Sequence, residues 1–244
     1  MGEHTGPVPA GPLIERVDAA TARLIASAAV LSEEQIRQTS LLPGWTRGHV
    51  LTHVARNADS LVNLLTWAHT GVQTPQYRSQ EARDAAIEAG AGRPGSEIRV
   101  DLSRSAQAFS ALARELPPGA WLAEVRAFRG PAHPAWFTLH RRLSEVEIHH
   151  VDLAAGYTPA DWPDDFVAEM LDRVAGGLAQ DGSGPPAMLV DAGGGRRYDL
   201  RRDVAAEVTV TGRGSDLLAW LIGRSDGRPL SADPPGPLPE VPPF

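Results

Sequence analysis

This sequence of 244 residues contains no cysteine and no lysine. The first absence excludes disulfides, thiolate metal sites and a protein thiol nucleophile, so any sulfur chemistry has to come from a separate thiol. The second makes all 23 basic side chains arginine and removes Schiff-base catalysis. No apolar stretch approaches the roughly 20 residues of a membrane span, and Glu3 stands where a secretory signal would carry positive charge. The expectation is a cytoplasmic protein outside the membrane. A formal charge of -7 argues against nucleic acid and anionic lipid as partners, since both recruit a basic face. Gly-x-Ser-x-Gly and the phosphate loop ending in Lys-Ser or Lys-Thr are both missing, which leaves acyl-enzyme and nucleotide chemistry without support.

What is present reads first as helices. Apolar residues at helical intervals predict a helix over 13–31, from Leu13 and Val17 to Val30. Thr46 is a natural N-cap for a second helix that stops at Gly71, with Val50, Val54, Leu61, Leu65 and Ala68 on its apolar arc and His53 and Asn57 at the edge of that arc. A short alanine-rich helix over 79–89 and a break at 90–95 precede a third long helix over 97–116, ended by Pro117-Pro118-Gly119. After a connection of mixed character, a fourth runs over 134–155 to Gly156. Four long helices predict a bundle, an architecture in which metal sites are built from facing side chains.

The character changes after Asp161-Trp162-Pro163, so a boundary is expected near Pro159, with domains over 1–158 and 159–244. The second part reads as small and α/β: a helix over 164–179, hairpin strands over 187–191 and 196–200 around Gly193-Gly194-Gly195, an alternating strand over 207–211, a helix capped by Ser215, and a proline-rich tail. The three glycines read as a hairpin turn and not as a phosphate cradle.

On a helix turning about 100° per residue, Arg142, Glu145, His149 and Asp152 fall in one polar stripe. Leu139, Val146 and Leu153 flank it on one side, and Ile148, Val151 and Ala155 on the other. A solvated face has no need of two apolar borders. Glu145 and His149, at i,i+4, can reach one divalent ion, and His53 can join them from a facing helix. Arg142 and Asp152 would then support those ligands or contact a bound molecule. Spacing alone leaves a plainer reading open, with Glu145 paired to Arg142, His149 to Asp152, and His53 a satisfied histidine at the core edge. Two rival pairs also stand, His49 with His53, and Glu147 with His150 in a Glu-x-x-His arrangement. His4, His69, His133 and His140 offer less, lying at the terminus, at a helix end, in a loop and off the stripe.

Leu42-Pro43-Gly44-Trp45-Thr46, with His49, His53 and Asn57 following, together with the stripe from Arg142 to Leu153, closely resembles the mycothiol-dependent maleylpyruvate isomerase family of the DinB-like superfamily. The likeness extends through Trp67 and Gly71, Thr74, Tyr77, Glu81 and Arg83, and reappears at Leu218-Ala219-Trp220 with Gly223-Arg224. It implies a mainly α protein: a DinB-like four-helix bundle followed by a small α/β domain similar to sterol-carrier domains. It also implies zinc or another divalent metal on His53, Glu145 and His149, mycothiol as the thiol, and a catalytic role for Arg224. Arg142 and Asp152 are candidates for cofactor contact. The implied reaction is conversion of maleylpyruvate to fumarylpyruvate by thiolate addition, bond rotation and elimination. A cation at the C-terminus of a helix accounts equally well for Arg224 on local grounds.

Three classes of function follow as expectations. The first is the thiol-regenerating isomerase. The second is a mycothiol-dependent S-transferase or thiol-exchange enzyme, which the same triad would serve. The third is a non-catalytic ligand carrier, indifferent to loss of His53. Partners are expected to be small molecules, and the protein a monomer or small homo-oligomer.

Overall fold

The computed structural model describes residues 10–244, so the readings placed on Glu3 and His4 lie outside the described residues. The contacts divide the chain into two compact units, 1–157 and 158–244.

In the first unit, α1 (Ala10–Ala29), α3 (Arg47–Thr70), α5 (Gly95–Glu115) and α6 (Phe137–Asp152) close a ring in which α1 meets α5 and α6, and α3 meets the same two. The short α2 (Glu33–Arg37) and α4 (Gln80–Ala91) pack on α3. Between α5 and α6 a 3-10 turn leads into a two-stranded antiparallel hairpin of β1 (Glu124–Arg126) and β2 (Ala132–Pro134).

The apolar arcs explain the ring. Val50, Val54, Leu61, Leu64 and Leu65 of α3 are fully buried, as are Leu24 of α1 and Leu139 and Val146 of α6. Each contributes about 1.5–3 kcal/mol relative to exposure. Both ends of α3 are marked in the sequence. Thr46 and His49 form a reciprocal capping box, and Gly71 at φ 72° supplies the left-handed residue that closes the helix.

Two arginines fix the register of α6 against α3. Arg47, at the start of α3, donates from Nε to Leu153 O at 2.9 Å and from Nη2 to Ala154 O at 2.8 Å, closing the C-terminal end of α6. Deeper in the bundle, Arg142 of α6 donates from Nη1 to Val54 O at 2.8 Å and Asn57 Oδ1 at 2.9 Å on α3. A slide of either helix would break bonds at both places.

The second unit opens with a 3-10 turn and α7 (Asp164–Asp181), followed by β3 (Ala187–Asp191), β4 (Arg197–Asp199), β5 (Val208–Gly212), α8 (Gly214–Leu221) and β6 (Ser231–Asp233). The sheet order is β4-β3-β5-β6, with β3 and β5 parallel and both outer pairings antiparallel. Helices α7 and α8 pack on one another. Gly193-Gly194-Gly195 makes the turn from β3 to β4, and the Asp191 carboxylate accepts from the Gly193 and Gly194 amides at 3.0 and 3.1 Å. Helix α8 begins one residue before the expected cap, at Gly214, with Arg213 as its uncapped N-cap.

Among the described residues no helix is long and apolar enough to cross a membrane.

Candidate metal centre

His53 lies almost two turns into α3, and Glu145 and His149 face it from α6. His53 Nε2 is 3.0 Å from Glu145 Oε2 and 3.0 Å from His149 Nε2, and the third side of the triangle, from His149 Nε2 to Glu145 Oε2, is 3.3 Å. Ligands held about 2.05 Å from a tetrahedral zinc are separated from one another by about 3.3 Å. Two imidazole nitrogens and a carboxylate oxygen at this spacing therefore fit a divalent cation with little rearrangement, and they are a donor set zinc accepts.

Neighbouring contacts orient the two histidines. His149 Nδ1 is 2.9 Å from Asp152 Oδ2, the carboxylate-histidine pairing that aims Nε2 outward from the pair. Asp152 is 1% exposed and its backbone carbonyl accepts from Leu41 N at 2.9 Å, so the residue is fixed at its backbone as well as at its carboxylate. The ring of His53 meets the Trp45 ring edge-on at 5.5 Å, which limits its swing. Behind it, Arg83 Nη2 approaches His53 Nδ1 at 3.3 Å.

The charges within the triad are unequal. Burial drives the His53 imidazole below its ordinary pKa, against the pull of Glu145. His149 is also opposed by burial, but its bonds to Asp152 and Glu145 prevail and push it up to about 9. Glu145 is held well below the carboxylate range, because the two histidines outweigh the burial that would raise it. At neutral pH the metal-free centre is thus an imidazolium on His149 facing a carboxylate, with His53 neutral.

A metal must displace the His149 proton. Apparent affinity should therefore rise about tenfold per pH unit up to about pH 9 and level off above it, which a chelator-competition titration across that range will show. The same shift stabilises the metal-free fold below the ordinary histidine pKa, and that contribution disappears as pH climbs through about 9. Asp152→Ala leaves all three ligands in place but removes the bond that aims His149. Metal affinity is expected to fall about 10–100-fold, measured by the same titration.

The rival pairs have other partners. His49 closes the α3 cap, with Nδ1 2.7 Å from Thr46 Oγ1, while its Nε2 faces Glu88 at 3.1 Å. Glu147 points to the opposite side of α6, toward α1, where it pairs with Arg23 at 2.5 Å and accepts from the Tyr157 hydroxyl at 2.6 Å. His150 stacks on the Tyr157 ring and bonds to Ser27 Oγ at 2.8 Å. His133 is buried with Nδ1 turned to Pro134 O.

The plain surface pairing between Glu145 and Arg142 is absent as well. Arg142 is 1% exposed, its Nη1 belongs to α3, its Nη2 has no partner among the described residues, and burial lowers its pKa to about 10. Arg224 lies in the second unit, just past α8 and Gly223. Its backbone amide donates to Ala219 O at 2.7 Å and its Nη1 to Ile222 O at 2.9 Å, so it serves locally as a helix C-terminal cation.

Arg83 and Trp45 also touch His53, and Tyr77 lies against Arg83. They stand on a loop and at helix starts, where no periodicity marks an inward side chain.

A ring of four helices that brings two histidines and a glutamate to a point, followed by a small α/β unit, defines a helical-bundle protein with a candidate metal centre. More specifically, the chain belongs to the mycothiol maleylpyruvate isomerase family. The family model for the "Mycothiol maleylpyruvate isomerase N-terminal domain" matches residues 17–154, and the one for the "MDMPI C-terminal domain" matches 161–243. Two solved structures are similar over nearly their whole length: a mycothiol-dependent maleylpyruvate isomerase and a histidine-to-alanine mutant of that enzyme. Each is 30% identical, with a TM-score of 0.90, covering 97% of this chain and 98% of the other. None of the curated proteins matches the sequence.

Proposed function

We propose that this protein is a thiol-dependent cis-trans isomerase that converts maleylpyruvate to fumarylpyruvate, with mycothiol as the thiol and zinc or another divalent metal held by His53, Glu145 and His149. The observation that carries the reading is the convergence of those three tips within 3.3 Å, in a chain of this family. The bound metal would lower the pKa of a thiol and keep it as thiolate at neutral pH. Such a thiolate would supply a nucleophile able to add reversibly to the conjugated double bond of the substrate, which is the chemistry a cis-trans isomerisation through a rotatable single bond requires.

The chain's own work is positioning. With metal bound, His53, Glu145 and His149 would present their electron pairs to one point; Asp152 orients His149, and Arg142 holds α6 in register with α3. Arg142 and Asp152 are each 1% exposed, which favours roles in orienting the ligands over contact with the thiol. Arg224 is carried into the proposal from the Gly223-Arg224 motif as the group that stabilises the enolate and carboxylates of the substrate. The proposal further takes 1–158 and 159–244 as separate domains, in a cytoplasmic monomer or small homo-oligomer.

The test supplies maleylpyruvate to metal-loaded and chelator-stripped protein, with and without mycothiol. Fumarylpyruvate should form only when metal and thiol are both present, with no net loss of thiol. Product formed without thiol rejects the proposal, and stoichiometric thiol consumption assigns the protein to the S-transferases.

A further inference from the structure

Gln76 is buried in the loop between α3 and α4, and both ends of its amide are engaged. Its Oε1 accepts from the Phe128 backbone amide at 2.7 Å, in the turn of the β1-β2 hairpin, and its Nε2 donates to Ser60 Oγ on α3 at 3.1 Å. Ser60 in turn donates to Asn57 O at 2.8 Å. Asn63, also on α3, donates from Nδ2 to the carbonyls of Pro75 and Gln76, each at 3.3 Å. Burying an amide is costly unless its ends are bonded, so this one side chain ties together a helix, a loop and a hairpin that are distant in sequence. An isolated two-stranded hairpin is marginal, so the place of its turn depends on such ties.

What the tie holds in place is aromatic. Tyr77 follows Gln76 directly, and Phe128 meets its ring edge-on at 6.0 Å. Arg83 links this pair to the triad: its Cζ lies 5.9 Å from the centre of the Tyr77 ring and its Nη2 3.3 Å from His53. Burial pushes the Tyr77 hydroxyl above its ordinary pKa and the Glu145 carboxylate adds to that push, so Tyr77 stands within range of the Glu145 charge. Glu145 is also the most open of the three ligands, with 29% of its side chain exposed against 14% for His149 and 6% for His53. The centre therefore opens beside Glu145, where Tyr77 stands. Phe128 is itself 40% exposed, so a buried clamp on its turn adds little to the core.

We propose that Gln76 is a positioning residue of the metal centre, holding Tyr77 and Phe128 as the wall against which the body of the metal-bound thiol lies. The inference rests on the proposed function for the identity of that molecule, mycothiol. A thiol fixed to the metal by its sulfur must carry the rest of its bulk out through the opening, and a wall already in place there removes part of the ordering cost of binding. Metal affinity is independent of the wall, because neither Gln76 nor Tyr77 supplies a ligand.

The test uses the full chain with Gln76→Leu, which keeps most of the volume and removes both hydrogen bonds, with Tyr77→Ala, and with the two combined. Calorimetry on zinc-loaded protein reads mycothiol affinity, and chelator competition reads zinc affinity. Gln76→Leu should weaken mycothiol binding about tenfold and leave zinc affinity within about twofold. Because Gln76 acts through Tyr77, the double variant should bind mycothiol no more weakly than Tyr77→Ala alone. In metal-free protein, hydrogen exchange at the Phe128 amide should quicken in Gln76→Leu while the α3 amides stay protected. Phe128→Ala alters only an exposed ring and should weaken mycothiol in the same direction, which keeps the wall testable if the buried substitution fails to fold.

A loss of mycothiol affinity below about threefold in Gln76→Leu, additive losses in the double variant, or unchanged affinity in Phe128→Ala overturns the inference. So does a parallel loss of zinc affinity, which would make Gln76 a support of the bundle alone. None of these readouts requires turnover, and an S-transferase would also bind the thiol, so a negative maleylpyruvate assay stays distinguishable from failure here. Natural protein that binds no mycothiol overturns the proposed function, and the wall with it.

Discussion

Replacing His53 with alanine is expected to reduce thiol-dependent isomerisation by about a thousandfold or more, and Glu145→Ala or His149→Ala by a similar factor. A bound divalent cation contributes several kcal/mol to activating a nucleophile, which corresponds to that factor. Each variant removes one corner of a triangle whose sides are 3.0–3.3 Å, leaving two protein ligands where a catalytic metal takes three. Steady-state kinetics with saturating metal and thiol measure the loss. The fold should survive, because His53 is at the edge of the apolar arc of α3 and its removal leaves Leu51, Val54 and Leu61 in place. Activity within tenfold of the natural protein for all three variants would show that the triad is not the reacting centre.

The second large effect concerns stability. Arg142 is among the largest fully buried side chains, and through Nη1 it bonds two acceptors on α3. Arg142→Ala opens a cavity and leaves Oδ1 of the buried Asn57 without that donor. The combined cost is about 3–5 kcal/mol. Arg142→Met refills most of the volume and also removes a charge that burial penalises, so it should recover more than half of the loss. Denaturant titration of the bundle transition reads both. If the alanine variant loses less than about 1 kcal/mol, the α3-α6 register is set elsewhere.

Much of this arrangement was legible in the sequence for identifiable reasons. The stripe from Arg142 to Asp152 stood out because helical period puts polar residues on a line between apolar borders, and those borders are buried: Leu139, Val146 and Leu153 on one side, Ile148 and Val151 on the other. Both ends of α3 carried their own punctuation in Thr46 and Gly71. Elements without such signals were missed. The hairpin of β1 and β2 has three residues per strand and only Val125 and His133 turned inward, too few for an alternation to register. β6 is the polar edge segment Ser231–Asp233.

Helix α2 is a different case. Its capping box of Ser32 and Gln35 was present in the sequence, but five residues hold too little apolar pattern to draw attention, with Ile36 alone buried. At the site, local spacing could pair His149 with either Glu145 or Asp152. It could not show that both contacts occur, one on each ring nitrogen. Nor could it show that Arg142 turns into the bundle, since its partners Val54 and Asn57 are 88 and 85 residues away in sequence. Arg83 was hidden for the same reason, 30 residues from the histidine it touches.

The central claim is that His53, Glu145 and His149 hold a metal whose remaining position accepts the sulfur of an external thiol. X-ray absorption at the zinc edge, on zinc-loaded protein before and after addition of mycothiol, tests it most directly. The account predicts a shell of nitrogen and oxygen neighbours without sulfur in the first sample and one sulfur neighbour at about 2.3 Å in the second. It also predicts loss of stoichiometric zinc in His53→Ala. A spectrum unchanged by the thiol, or zinc retained in full by His53→Ala, would contradict it.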